Sequence, residues 1–326
     1  MSEVSLSVNM NALQTVRQMV DDAEELNCVV NELENGTTVL DAGVLTPGGN
    51  EAGRMIAEAC MGGLGSVRLT QTHIAEMTLP AVIVGTNEPS IATLASQFAG
   101  WSLRVGDYRA MCSGPARALA RSEELYAELG YRDDSRFGVL VMETRQMPTP
   151  DVTQVIADAC HISPSELYCL VVPTASPAGS VQIAARIVEV GVHRLHRLGF
   201  SPAKIRTGHG VAPIAPVAKS DSRAMGLTND CILYGGRIYL HLSTEDGDDI
   251  ESLADRAPAC SSKQYGTPFY DLFKSVGSDF YRIDPDLFSG AEITLIDVGS
   301  GAYHKAGQVD AEVLRRSLQQ YLPYGL

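Results

Sequence analysis

Four polar residues, Gln182, Arg186, Glu189 and His193, recur at helical spacing within an otherwise apolar stretch. At 100° per residue, with Arg186 set to zero, they project at about −40°, 0°, −60° and −20°. Val181, Ile183, Ala184, Ala185, Ile187, Val188, Val190 and Val192 fill the remaining surface. A surface helix normally carries a broad polar face, whereas this strip is only about 60° wide. The pattern predicts a helix whose strip faces a cavity or a domain cleft. A carboxylate in apolar surroundings tends to take up a proton, and a guanidinium one turn away opposes that change, leaving the carboxylate available as a base. The other use of the pair is structural: an exposed i,i+3 ion pair contributes about 0.2–0.5 kcal/mol. The pattern alone leaves both uses open. His193 reads as a polar packing residue, and His196 with its neighbouring arginines as the exposed end of the helix.

Small and polar residues crowd four further segments: SGPARA (113–118), PTASPAGS (173–180), GVAPIAPV (210–217) and MGLTND (225–230). Each alone reads as a turn or helix cap, but several in one chain point to a small-molecule cleft. After Ser113 and Gly114, backbone amides at a helix start could receive an anion or a carbonyl, with Arg117 one turn further in. The sequence contains no Walker A loop, no H-E-x-x-H, no G-x-S-x-G and no complete G-x-G-x-x-G, since GGLGSV (62–67) lacks the third glycine. A nucleotide cofactor or a zinc site would have to be of an unusual kind.

Strand and helix signals alternate along the chain and must position these groups. Helices are expected near 10–26, 50–61, 90–98, 114–129, 150–160, 178–198 and 310–320. Asn35-Gly36 predicts a hairpin with a type I′ turn. Gly235-Gly236, between CILY and RIYLHL, predicts a second hairpin, and TLIDVGSGAYHKAG a third. Segments 81–100 and 169–191 share a strand, a short polar loop, a proline and a helix, the plan of a generic strand-loop-helix unit. At roughly 150 residues per domain, 326 residues suggest two domains. We place the division after the strand FGVLVMET, giving domains 1–147 and 148–326; discontinuous domains would leave the same signature.

Composition narrows the class. Asp and Glu number 39 against 25 Lys and Arg, a net charge of −14, which disfavours a nucleic-acid partner. Seven cysteines without a C-x-x-C pair read as reduced and mostly buried. No signal peptide is visible, and the uncharged stretch 167–185 is too broken by Pro, Ser, Thr and Gly to span a membrane. A cytoplasmic enzyme with no membrane partner is the expectation.

The segments ELENGTTVLDAG, AGWSLRVGDYRAMCSGPARALA, VVPTASPAGSVQIAARIVEVGVHR, APIAPV, AMGLTNDCILYGGRIY and YGTPFYDLFKSVGSDFYRIDPDLFSGAE occur in that order between about 28 and 292. Together they resemble the methenyltetrahydromethanopterin cyclohydrolases. The resemblance implies an α/β fold of two α/β domains side by side with a substrate pocket between them, usually assembled as a homotrimer. It implies hydrolysis of 5,10-methenyltetrahydromethanopterin to the 5-formyl form, in the one-carbon metabolism of methanogens, other archaea and methylotrophic bacteria, with a small-molecule pterin as substrate and no metal or other cofactor. The family's R-x-x-E pair falls on Arg186 and Glu189, which makes them the expected catalytic residues. Ser113, Gly114, Arg117, Thr174, Ser176, Gln182, Thr228 and Asn229 become pocket candidates. Asp230 could accept from the pterin's donor edge. Cys112 stands before SGPARA where a small residue such as Gly is expected. The rival readings are a noncatalytic pterin-binding paralogue, a cyclohydrolase acting on tetrahydrofolate and, more distantly, a nicotinamide-dependent dehydrogenase.

Overall fold

Short apolar runs become strands and the amphipathic segments between them become helices, as follows for residues 6–322, which the computed structural model describes. The chain runs through α1 (Val8–Asp21), β1 (Val29–Glu32), β2 (Thr38–Asp41), α2 (Asn50–Cys60), β3 (Gly65–Ile74) and β4 (Met77–Thr86). A π-helix (Ser90–Gln97) leads to β5 (Trp101–Val105), β6 (Tyr108–Ser113), α3 (Arg117–Ala120), α4 (Leu125–Leu129) and β7 (Gly138–Glu143). There follow α5 (Pro150–Cys160), β8 (Leu167–Val171), α6 (Pro177–Ala184), α7 (Ile187–Arg197), β9 (Ile205–Pro213) and α8 (Asp221–Gly235). The last elements are β10 (Arg237–Leu242), α9 (Ile250–Arg256), α10 (Phe269–Ser275), β11 (Glu292–Asp297), β12 (Tyr303–Gly307) and α11 (Ala311–Leu318).

The strands form two six-stranded mixed sheets, ordered β1-β2-β8-β7-β6-β5 and β12-β11-β10-β9-β4-β3. Two compact units result: residues 1–66 with 90–182, and 67–89 with 183–326. The division is therefore discontinuous and does not fall at 147. A cut there would part β7 from β8, which pair in parallel, while the β3–β4 hairpin belongs to the second unit because β4 pairs with β9.

In the first unit, helices cover both faces of the sheet. Leu13, Val16, Met55 and Ile56 pack with Leu40, Val139, Val141 and Leu170 on one face. Val152 and Ile156 pack with Val39, Leu140, Met142 and Cys169 on the other. Cys112, unexpected before SGPARA, is fully buried in this second cluster, so its thiol is a packing group. Among the described residues the cysteines are free, and only Cys260 is exposed. Helix α5 begins where MPTP predicts: Thr149 accepts from the Val152 amide, and Pro150 occupies the first turn, where its missing N–H is harmless.

Two of the three expected hairpins form. In the first, Leu33 N–H donates to Thr37 O and Gly36 N–H to Leu33 O. Only Gly36 takes a positive φ, +87°. The connection is thus a three-residue loop ending in a left-handed glycine, not a type I′ turn. Asn35 instead spends its amide on Pro150 O and Thr153 Oγ1. The β11–β12 hairpin forms. The hairpin expected at Gly235-Gly236 does not, because 231–235 complete α8 and Gly236 caps it. A helix launched by the Ser220 cap absorbs the β-prone run Ile232-Leu233-Tyr234, packing having overridden local propensity.

Candidate functional site

Helix α7 is pressed closely onto the second sheet. A Cβ on Gly208 would lie 2.8 Å from Val188 Cγ1, one on Gly210 3.0 Å from Ile187 Cγ1, and one on Gly191 2.8 Å from Ile238 Cγ2. These glycines fix which face of α7 meets the strands, and the strip bearing Glu189 and His193 lies on the other side of the helix. The 178–198 segment is nevertheless not one helix. Ala185 and Arg186 form a turn between α6 and α7. Arg186 (φ −80°, ψ 3°) occupies the sparsely populated bridge region, and its N–H bonds Ile183 O instead of the carbonyl four residues back. The projection therefore no longer carries Gln182 onto the strip. It does hold for Arg186, Glu189 and His193.

Arg186 is the N-terminal cap of α7 and Glu189 lies in its first turn, with Cβ atoms about 5–6 Å apart at that spacing. Both are buried, at 9% and 5% exposure. The positive end of the helix dipole favours an ionised carboxylate there. One turn on, His193 has its pKa pushed down to about 4, first by burial and then by Arg197, His196 and Arg194, so its ring is neutral near pH 7. A buried carboxylate in the first turn of a helix whose cap residue is an arginine has the chemistry to accept and return a proton.

The remaining predicted residues fall into separate groups. In the first unit, Ser113 Oγ lies 3.3 Å from Cys60 Sγ. The amides expected to receive an anion are already used: Gly114 N–H donates to Ser96 O, Ala116 N–H to Val139 O and Arg117 N–H to Gly114 O. Arg117 is buried, its guanidinium divided between Glu123 and the carbonyls of Leu94 and Ser96. This corner lies beside the amino end of β7, whereas Thr174 lies at its carboxyl end. There the Thr174 hydroxyl donates to Glu143. Ser176 caps α6, donating to Pro173 O and accepting from Gly179 N–H. Gln182 is buried in α6.

In the second unit, LTND is helical, not a loop. Thr228 bonds back to Ala224 O, and Asn229 to Met225 O. Successive residues point about 100° apart, so Thr228, Asn229 and Asp230 cannot all face one ligand. Asp230 turns to α10 and α11, accepting from Phe269 N–H (2.8 Å) and Ser317 Oγ (2.5 Å). Among the described residues, no group of three or more His, Cys, Asp or Glu is placed to hold a metal ion. No helix there is long and apolar enough to cross a membrane.

Residues 7–318 match the family model described as Cyclohydrolase (MCH). The chain belongs to this family. It is 45% identical over 317 residues to the methenyltetrahydromethanopterin cyclohydrolase of Methanocaldococcus jannaschii, covering 96% of this chain and 98% of that one. The enzymes of the same name from Methanothermobacter marburgensis and Methanococcoides burtonii are 44% and 40% identical, each over 96% of this chain and 99% and 98% of their own lengths.

In this cyclohydrolase-family chain Glu143, which motif and periodicity do not single out, ends β7 and accepts from Thr174. Strands β2, β8 and β7 run parallel. The helix after β7 packs on one face of the sheet and the helix after β8 on the other, since Val152 and Ala178 belong to opposite clusters. Adjacent strands with connections leaving on opposite sides open a crevice at their carboxyl ends, where ligands of α/β sheets bind. Glu143 and Thr174 stand at that crevice. Its signal in the sequence is a carboxylate placed directly after the apolar run GVLVM.

Burial raises the Asp230 carboxyl to about 7, partly offset by the Ser317 and Phe269 hydrogen bonds. A raised carboxyl stabilises the fold fully below its unfolded pKa, and that contribution is lost as pH rises through the folded value. Asp230→Asn removes the titration. Its melting temperature relative to wild type should therefore rise by several degrees between about pH 4 and 7, as measured by scanning calorimetry. A constant offset across that range would show that Asp230 does not titrate there.

Proposed function

We propose that this chain hydrolyses 5,10-methenyltetrahydromethanopterin to its 5-formyl form, reversibly, with Glu189 as general acid–base and Arg186 orienting it and keeping it ionised. The observation that carries the residue assignment is the buried carboxylate of Glu189 in the first turn of α7, with Arg186 at the cap of the same turn. The names of the relatives support the substrate.

The methenyl carbon bridges two nitrogens in an amidinium cation and is already electrophilic. Water adds to it as Glu189 takes one of its protons, giving a neutral tetrahedral adduct. The bond from that carbon to N10 then breaks as Glu189 returns the proton to N10. The adduct's hydroxyl proton leaves to solvent as the formyl C=O forms, so one proton is released per turnover. The reaction so written asks for no metal or organic cofactor. Thr174, Ser176, Gln182, Thr228 and Asn229 remain pocket candidates in this reading, and Glu143 joins them. The same reading implies a cytoplasmic enzyme assembled as a homotrimer.

Loss of the methenyl chromophore with purified protein tests the activity, with the methanopterin and folate substrates assayed separately. Loss with the first is expected; loss with neither overturns the enzyme reading, and preference for folate overturns the substrate. Arg186→Ala tests the tuning role. Without the neighbouring cation the acid limb of the kcat–pH profile should move to higher pH. A raised KM with an unmoved profile would make Arg186 a substrate-positioning residue only.

A further inference from the structure

Helices cover the centre of the first sheet, but one face of its β5 end is open. There β5 and β6 are joined by a two-residue turn, with Gly106 at φ +56°, as the first position of such a turn requires. Val105 and Tyr108 close the turn, and Arg104 and Arg109 stand directly opposite one another as the next pair. Arg109 directs its main-chain groups away from β5, its N–H to Gln146 Oε1 (3.4 Å) and its carbonyl to the Thr144 hydroxyl (2.9 Å). The two arginines are therefore a non-hydrogen-bonded pair, the kind whose Cα atoms approach to about 4.5 Å. Like charges so placed weaken a hairpin, and among the described residues neither guanidinium has an ion-pair partner. The same face carries Ser102, Met111 and Glu143 one row further in, since Ser102 pairs with Met111 and Met111 with Glu143. Leu103, Ala110 and Cys112 point the other way, into the core. Ser102, Arg104, Arg109 and Met111 are exposed, and with Glu143 they line a shallow groove of about 440 Å³. Glu143 belongs both to this groove and to the crevice it shares with Thr174.

We propose that this groove holds the acidic tail of the pterin substrate, with Arg104 and Arg109 gripping its phosphate or carboxylate. An anion set between the two guanidiniums turns their repulsion into attraction, and the planar forks match phosphate or carboxylate oxygens in pairs. The exposed Met111 side chain offers an apolar, adaptable floor between the arginines and Glu143. Continuity with the crevice selects the occupant. Folate and methanopterin substrates alike carry an acidic tail remote from the pterin ring, and a groove that opens from the crevice at Glu143 suits a ligand extending out of it. A free anion would need no such connection. The proposal rests on the pterin substrate of the reading above and assigns the residues that hold its tail, leaving the proton transfer with Glu189.

Steady-state kinetics on wild type and Arg104→Gln/Arg109→Gln test it, with the complete methenyl substrate and with one cut back to the pterin and its aryl group. On the complete substrate the double variant should raise KM by about tenfold or more, the loss expected for hydrogen bonds to a charged group, with kcat within about twofold. On the cut-back substrate the two proteins should share one KM. The melting temperature of the double variant should equal or exceed that of the wild type, because two opposed charges are gone. Raising KCl from about 50 to about 500 mM should raise the wild-type KM for the complete substrate severalfold and leave that for the cut-back one nearly unchanged. An unchanged KM for the complete substrate in the folded double variant overturns the proposal, as does an increase of the same size on both substrates. Should the double variant misfold, the wild type alone decides: equal KM values and equal salt responses for the two substrates overturn it. No turnover of either substrate by the wild type is a different failure, which removes the pterin reading and the tail assignment with it.

Discussion

A Glu189→Gln enzyme is expected to fold as the wild type does and to turn over about 10²–10⁴ times more slowly, the range for removing a positioned general acid–base group. The substitution keeps size and shape in the first turn of α7, where Glu189 is 5% exposed. It replaces a group that can accept and return a proton with one that can do neither near pH 7. Binding should be largely retained, so the loss belongs in kcat. Glu189→Asp keeps the carboxylate but withdraws it by one methylene; a displacement of about 1 Å can itself cost about 10²-fold. The two variants thus separate proton transfer from placement. Single-turnover loss of the methenyl chromophore reads the chemical step directly. Near-wild-type turnover by Glu189→Gln at an unchanged melting temperature would remove Glu189 from the proton transfer.

The pair at the centre of this test was legible because helical periodicity and apolar context are local properties. Arg186 and Glu189 are one turn apart in sequence, and they fall at the cap and in the first turn of α7. The break at Ala185-Arg186 was not legible: neither residue is a helix breaker, and the turn falls close to where the chain passes from one compact unit to the other. The same limit explains Gly235-Gly236, where β-prone residues are held in a helix by contacts such as the Tyr234 hydroxyl on Thr267 O, 33 residues away. Turn-rich segments carried the least positional information. SGPARA and PTASPAGS look alike in composition, yet the first lies beside the amino end of β7 and the second next to its carboxyl end, a distinction set by strand order alone. For that reason Glu143 could be found only after the sheet was known.

Arg117 offers the largest expected effect on stability. Its side chain is fully buried, with Nε 2.9 Å from Glu123 Oε1 and a second fork contact to Oε2. Nη1 holds the carbonyls of Ser96 (2.9 Å) and Leu94 (3.3 Å) near the end of the π-helix, and the guanidinium lies 5.4 Å from the Phe98 ring centroid. Arg117→Ala therefore opens a cavity and leaves both the carboxylate and the carbonyls without their donor. Breaking a buried pair by removing one partner costs about 3–5 kcal/mol, which for a chain of this size lowers the melting temperature on the order of 10 °C. Arg117→Lys restores the charge without the fork and should recover only part of the loss. Arg117→Met/Glu123→Gln leaves no buried charge unpaired and should be more stable than Arg117→Ala. If Arg117 instead bound substrate, Arg117→Ala would raise KM and leave the melting temperature in place. Calorimetry and steady-state kinetics on the three variants separate the outcomes, with the structural arrangement predicting lost stability, a double variant that regains part of it, and a KM close to wild type wherever the protein is folded.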